Sequence, residues 1–299
     1  MTYTGTGTQE APYLVDNFED FLTCVGEPGA YVKVIADIDA SLEEKYQSST
    51  GRINIQAAEI YSDKTTEISN MIVLGSSCFY KPEGGNSIST IRNIHFKNIV
   101  FKINGNTGNI FSAGSTDYLE FHDCQISAQA VCGRMSLCVG ARAKMHRCAV
   151  IVECLREGYP DSTTYISQMF DSSFVADDSI FEIIDWPLSN SIVASSVFSG
   201  VFTYCTLKLS IRSPKKLVNS SYSVFGDGSH DNVLILAISH DDGNATKERF
   251  TVKSTMTAID TESSTGADIS RYYTSTVIFQ LTTAQIKSET YLREIGFIP

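Results

Sequence analysis

Five histidines occur in this 299-residue chain, and three of them are the first candidates for chemistry. His122 stands in Phe121-His122-Asp123-Cys124-Gln125-Ile126, His146 in Met145-His146-Arg147-Cys148-Ala149-Val150, and His230 in Ser229-His230-Asp231-Asn232-Val233-Leu234. Side chains that recur in one frame would stand side by side, and adjacent imidazoles bind a metal or exchange protons. No third ligand with zinc-like spacing accompanies them, and Cys124 and Cys148 are expected to face the turn or the core instead. The three read as stacked surface histidines, with no metal and no cofactor expected.

Carboxylates supply the second candidate. Glycoside hydrolysis takes two carboxyl groups, about 5 Å apart for retention or about 6.5–9.5 Å apart for inversion. Asp171, Asp177, Asp178 and Asp185 gather in one stretch with Glu182. Arg147 is expected between Asp123 and Asp177, where its charge would lower both carboxyl pKa values, whereas a general acid needs one raised. The four aspartates are therefore catalytic candidates only in an alternative reading, and the preferred reading assigns no catalytic residue. Asp227-Gly228-Ser229-His230-Asp231 and His240-Asp241-Asp242-Gly243-Asn244 lack the spaced carboxylates and closing glutamate of a calcium loop and read as turns. Gly5-x-Gly7 follows no strand, so it is no nucleotide motif, and a nucleophile elbow is absent.

What must position these side chains is a repeat. The apolar-x-x-small-x-aliphatic frame of the two histidine segments returns around Asp178 and Cys205, and thins upstream to Lys97-Asn98-Ile99-Val100 and Ser69-Asn70-Met71-Ile72. Taking the small polar or thiol residue as marker gives Asn70, Asn98, Cys124, Cys148, Asp178, Cys205 and Asn232, in steps of 28, 26, 24, 30, 27 and 27 residues. A period in the twenties without a helical pattern fits an all-β fold, a right-handed parallel β-helix whose coils stack about 4.8 Å apart. The markers should form one column at a bend. The apolar residues two further on, Met71-Ile72, Val100, Ile126, Val150, Ile180, Leu207 and Leu234, should point inward. The column before the markers, Lys97, Asp123, Arg147, Asp177, Tyr204, Asp231, alternates in charge over its first four members, as a ladder of ion pairs would.

The chain is 42% hydrophobic but only 19% charged, a balance that suits many short strands and turns. Its net charge of −11 would repel a phosphate backbone, so nucleic-acid binding is set aside. No apolar stretch is long enough to span a membrane and the first residues carry no secretory signal, so cytoplasmic synthesis without membrane insertion is expected. Eight cysteines without a C-x-x-C pair then read as reduced, mostly buried thiols.

Both ends look like caps. Asp16 and Asn17 are N-cap residues before Phe18, Phe21, Leu22 and Val25, four apolar positions on one face of a short helix that Gly26 stops and that should cover the first coil. Tyr31 to Ile38 reads as the first well-formed strand, followed by a polar loop from Ser41 to Gly51. Three parts result: a cap with a helix over 1–40, coils over 41–243, and an atypical cap or oligomerisation element over 244–299, where the frame is lost and Ala284 to Leu292 reads as a closing helix.

Gly5-Thr6-Gly7-Thr8-Gln9-Glu10-Ala11-Pro12-Tyr13-Leu14-Val15, the helix after it, and Gly29-Ala30-Tyr31-Val32-Lys33-Val34 resemble the opening cap of pectate-lyase-like β-helix proteins of phage and prophage virions and bacterial surfaces. Ile91 to Phe101 resembles their rung motif, and Leu281-Thr282-Thr283-Ala284-Gln285-Ile286-Lys287 their closing segment. The resemblance implies a virion protein of the tail-spike or fibre type, assembled in the host cytoplasm. It would bind a host-surface glycan or neighbouring virion proteins as a homotrimer. The alternative is a polysaccharide lyase or glycoside hydrolase on the same scaffold. One tryptophan, Trp186, weakens a sugar cleft, although Tyr159, Tyr165, Tyr272 and Tyr273 are possible platforms.

Overall fold

The computed structural model describes all residues except 1–2, 43–51, 76, 104–106, 133–135, 157–168, 188–198, 214–220, 241–242, 244–247 and 273–275. Alternating side chains decide its architecture. In strand Tyr118–His122, Leu119 and Phe121 are buried while Tyr118, Glu120 and His122 are half-buried on the outside. Such a strand can hide only one face, and stacking successive coils supplies the rest. The result is a parallel β-helix of about six turns.

Three faces run along it. The first carries Tyr13–Val15, Tyr31–Val34, the leading parts of Glu59–Ser69 and Ile88–Ile103, then Tyr118–His122, Ala143–His146, Val175–Asp177 and Val201–Thr203, paired parallel in that order. The second continues from Ile88–Ile103 through Gln125–Cys132, Ala149–Arg156, Ile180–Pro187, Thr206–Ser213 and Asn232–His240. Separate small sheets make the third: Ile53–Asn54, Ser77–Lys81, Thr107–Ala113 and Ser136–Gly140, and further on Ser221–Val224, Glu248–Val252 and Ala267–Tyr272. The core inside is one continuous apolar column rich in phenylalanine.

The bend between the first and second faces explains the repeat, and it corrects the expected register. One residue per coil adopts the left-handed conformation there: Asn93, Asp123, Arg147, Asp178, Tyr204 and Asp231, with φ between 47 and 57°. The next residue points inward, giving the column Ile94, Cys124, Cys148, Ser179, Cys205, Asn232. Its small polar members return a hydrogen bond to the carbonyl two residues back, as Cys124 does to His122 (3.3 Å), Ser179 to Asp177 (2.7 Å) and Cys205 to Thr203 (3.3 Å). They also tie coils together: Ser179 Oγ accepts from the Cys148 amide, and Asn232 Oδ1 from the Cys205 amide. A small donor that fits inside a sharp corner is what the marker position requires.

Four of the seven expected markers, Cys124, Cys148, Cys205 and Asn232, share this column. Asp178 does not, since Ser179 takes its place. Asn70 and Asn98 belong to another bend, where both have positive φ and Asn98 Nδ2 donates to Asn70 Oδ1 at 3.3 Å. The expected inner residues shift accordingly: Ile126, Val150, Leu207 and Leu234 are buried, but Ile180 is 56% exposed and Phe181 fills the core instead. Ile72 is likewise exposed while Met71 is buried, and upstream Phe96 replaces Val100. In the charge column, Asn93 stands where Lys97 was expected and Asp178 where Asp177 was.

The N-terminal helix spans Phe18–Val25, with Asn17 Oδ1 accepting from the Asp20 amide as its cap at 3.0 Å. Phe18, Phe21 and Val25 are buried and Leu22 packs against the same core, so the helix covers the first coil as expected. A strand, Tyr13–Val15, precedes it, which the sequence reading did not anticipate. Asn17→Ala is expected to lower stability by about 1 kcal/mol, read as a shift of the denaturation midpoint. Coil stacking does not stop where the sequence frame is lost: Met256–Asp260 pairs with Asn232–His240 and Val277–Leu281 with Met256–Asp260. Two short helices, Thr283–Ile286 and Glu289–Glu294, then close the end, with Leu292 and Phe297 packed on Ala258 and Leu281.

Candidate functional site

Outward residues of the first face form columns just as the inward ones do. His122 and His146 are register partners, Asp177 follows His146, Thr203 follows Asp177, and His230 bridges to Thr203. The expected stacking of His122 on His146 is present, with ring centroids 5.7 Å apart. His230 recurs in the same column three coils beyond His146. Asp177, placed by sequence beside Arg147, instead lies in the histidine column. Its Oδ2 is 2.5 Å from His146 Nδ1.

Two residues towards the start of each strand, Glu120 and Lys144 form a second column and pair at 2.7 Å, followed by Val175. Between the two columns lies a groove of about 320 Å³, lined by Glu120, His122, Lys144, His146, Val175 and Asp177, its floor the strand backbone at Phe121 and Met145, whose side chains are buried in the core. His122 Nε2 lies 3.7 Å from Glu120 Oε2 across it. At the corner beside this face, Tyr204 is 44% exposed, which leaves its ring available to a ligand, and it meets His230 edge to face at 5.5 Å. Both walls are strands of one sheet with a buried apolar face, so the groove is held rigidly.

Cations on this face are answered by carboxylates of the preceding coil: Arg92 by Glu59 at 2.8 Å, Lys144 by Glu120, and Arg147 by Asp123 through two bonds of 2.7 Å. The last pair bears out the expected ion pair and holds the Asp123 carboxyl below its usual range, chiefly through the Arg147 hydrogen bonds and secondarily against some desolvation. Arg147 also faces His146, its Nη1 against Nε2. A guanidinium only donates, so Nε2 accepts and Nδ1 carries the proton that His146 gives to Asp177.

The sequence-derived carboxylates separate. Asp177 and Asp178 come together with His146, placing one imidazole nitrogen and two carboxylate oxygens within 4.8 Å of one another. Asp177 joins His146 because it stands in the histidine column and not beside Arg147, while His122 is not part of the cluster. A divalent metal there would have to displace the proton that Nδ1 shares with Asp177. Asp171 lies in the turn before Val175–Asp177, where its Oδ1 accepts from the amide of Ser173 at 2.7 Å. Asp185 has a positive φ of 59° where Ile180–Pro187 slips register against its neighbour, and Glu182 pairs with Lys208 at 2.5 Å on the second face. Asp227 and Gly228 form a turn, as expected. Tyr159, Tyr165 and Tyr273 lie outside the described residues, as does the side chain of Tyr272.

The six described thiols, Cys24, Cys78, Cys124, Cys148, Cys154 and Cys205, are buried. Burial pushes Cys24 and Cys205 up to about 12, where they are chemically inert at neutral pH. The side chains of Cys132 and Cys138 lie outside the described residues. The class these observations define is a parallel β-helix with a polar groove on one outer face. The sequence matches no family model and no curated protein.

Proposed function

We propose that this is a β-helical surface protein of the kind built into phage or prophage virions, and that its first face binds a glycan of the host surface. The groove between the Glu120–Lys144 and His122–His146–Asp177 columns carries the reading. It combines a floor of strand backbone and the exposed Val175 side chain with carboxylate and imidazole groups on its rims, the chemistry that receives a sugar ring and its hydroxyls. Each coil advances about 4.8 Å, close to the length of one pyranose unit, so a chain of sugars laid along the axis meets an equivalent position per residue. Tyr204 offers an exposed ring in the neighbouring corner column. Because Arg92, Lys144 and Arg147 are already paired and the chain carries a net charge of −11, neutral or amino sugars fit better than uronic acids. The homotrimer and contacts to other virion proteins rest on the resemblance of the two ends. Mass in solution reads out the first.

A second reading, glycan cleavage, is favoured by the His146–Asp177 pair beside the groove, an imidazole oriented by a carboxylate. Arg147 against Nε2 weighs the other way, since it occupies the nitrogen that a general base would use. One experiment separates the two. Purified bacterial surface polysaccharides, neutral, aminated and uronic, are tested for binding by calorimetry and for shortening by size-exclusion chromatography. Binding of a neutral or amino polymer without shortening is expected, with Asp177→Asn and Tyr204→Ala each weakening it about tenfold or more. Shortening that Asp177→Asn abolishes would transfer the protein to the hydrolase or lyase class. Binding indifferent to both variants would remove the groove from the function.

A further inference from the structure

Beside the histidine pair, the inner corner column sets two thiols on neighbouring coils. Cys124 and Cys148 follow His122 and His146 by two residues and occupy the same inward position on neighbouring coils, between the register pairs His122↔His146 and Gln125↔Ala149. The Asp123 amide bonds to the His146 carbonyl and the Ala149 amide to the Cys124 carbonyl, both at 3.0 Å, so the backbones on either side are locked together. In-register neighbours of a parallel sheet are about 4.8 Å apart, inside the Cα separation of roughly 4.4–6.8 Å that a disulfide spans. The Cys148 thiol leans toward the coil of Cys124, with Sγ 3.4 Å from the Phe121 carbonyl oxygen.

No other cysteines among the described residues stand in this relation. Cys154 has Ala130 as its neighbour, and Cys205 is separated from Cys148 by the coil that carries Ser179. We propose that Cys124 and Cys148 are a site of reversible oxidation, in which a small-molecule disulfide of the glutathione class converts the two thiols into a bond that staples neighbouring coils beside the groove.

The chemistry balances without a further reactant. Cys148, as thiolate, attacks one sulfur of the small disulfide, which releases one thiolate and leaves a mixed disulfide on Cys148. Cys124 loses its proton to solvent and attacks the Cys148 sulfur, closing the protein disulfide and releasing the second thiolate. Two protein thiols are oxidised, one small disulfide is reduced to two thiols, and the two protons pass to the released thiolates. The order of the steps follows from the pair's burial. Burial raises Cys124 far above an ordinary thiol, and Cys148 is the less enclosed of the two, 3% exposed against 1%. Cys148 is thus the nucleophile and Cys124 the resolving thiol.

The test uses the full-length protein in buffers of oxidised and reduced glutathione, once on native protein and once with the same buffers present during refolding. Remaining thiols are alkylated in denaturant before intact-mass and peptide analysis. The expected product has lost two hydrogens, joins the peptides that contain Cys124 and Cys148, and reverts with dithiothreitol. Its thermal midpoint should lie roughly 5 °C above that of the reduced form. Cys124→Ser and Cys148→Ser should fold, because serine already occupies this position at Ser179, and neither should gain the bond or the shift. A stable glutathione adduct without the intramolecular bond, linkage through other cysteines, loss of the β-sheet circular dichroism spectrum on oxidation, or absence of the bond under both regimes would each overturn the proposal.

Discussion

Phe202→Ala is expected to lower the stability of the solenoid by about 3–5 kcal/mol, the range for removing a fully buried aromatic side chain without a collapse that refills its space. Phe202 is completely buried. Its ring meets Phe170 at 5.1 Å, Phe174 and Phe181 at 5.6 Å and Phe225 at 5.5 Å, in edge or tilted arrangements. These partners come from successive coils and from all around the bend, so the ring is shared among the coils rather than packed within one. The sheet cannot close over the void, because its strands are held at the inter-strand spacing by backbone bonds on both sides. Chemical denaturation should show a reduced midpoint with a nearly unchanged slope if unfolding stays cooperative. A broad or two-step transition would mean instead that coils on the two sides of the lost ring unfold separately, as a one-dimensional stack allows.

How far the sequence could show this is clearest at the bend. The period was legible because three coils place cysteine at the inner corner and two place histidine two residues before it, types uncommon enough to be noticed. The left-handed corner residues were not legible as a column, since Asn, Asp, Arg, Asp, Tyr and Asp share no chemistry. Asparagine and aspartate are enriched at positive φ, but Arg147 and Tyr204 adopt it only because the stack imposes it. Where Ser179 replaced the thiol, the preceding Asp178 looked like the marker, and a slip of one residue turned a strand inside out. That slip hid the candidate site: with Asp177 returned to its true column, it stands beside His146 and completes the groove's rim. The alternation Phe174, Ala176 and then Phe181, Ile183 carried the correct register, had it been weighed above the polar residue between the two runs. Coil stacking beyond residue 244 was hidden for a different reason. Its strands are joined through bends of other composition, and only register pairing in space reveals them.

Asp260 ties the turn of the last coils to the closing helix, and its replacement is expected to loosen the C-terminal cap. Asp260 is 2% exposed, so its charge depends wholly on the groups around it. Oδ1 accepts from the amides of Glu262 and Ser263, both at 3.1 Å, Oδ2 accepts from the Ser263 hydroxyl at 3.0 Å, and Thr283 Oγ1 lies within 2.9 Å of both oxygens. Thr283 is the first residue of the closing helix Thr283–Ile286, so the carboxylate joins the turn after Met256–Asp260 to the element that covers it. Burial alone would raise the carboxyl, but the Thr283, Ser263 and Glu262 donors together outweigh it and the pKa lies below the ordinary 3.8. A carboxylate lowered on folding stabilises the native state above the unfolded pKa, and that contribution is lost as pH falls through the lower folded value. The closing segment should accordingly hold at neutral pH and loosen only in acid, below about pH 4. Asp260→Ala removes the acceptor at every pH and leaves four donors without it, with an expected cost of about 2–4 kcal/mol. Hydrogen exchange is the measurement that locates the effect. Amides from Thr282 to Phe297 should lose protection in the variant at neutral pH and in the wild type on acidification, while those of Tyr118–His122 and Gln125–Cys132 keep theirs. Uniform loss along the chain would show that the cap and the coils unfold as one unit, and that Asp260 stabilises the whole stack rather than its end.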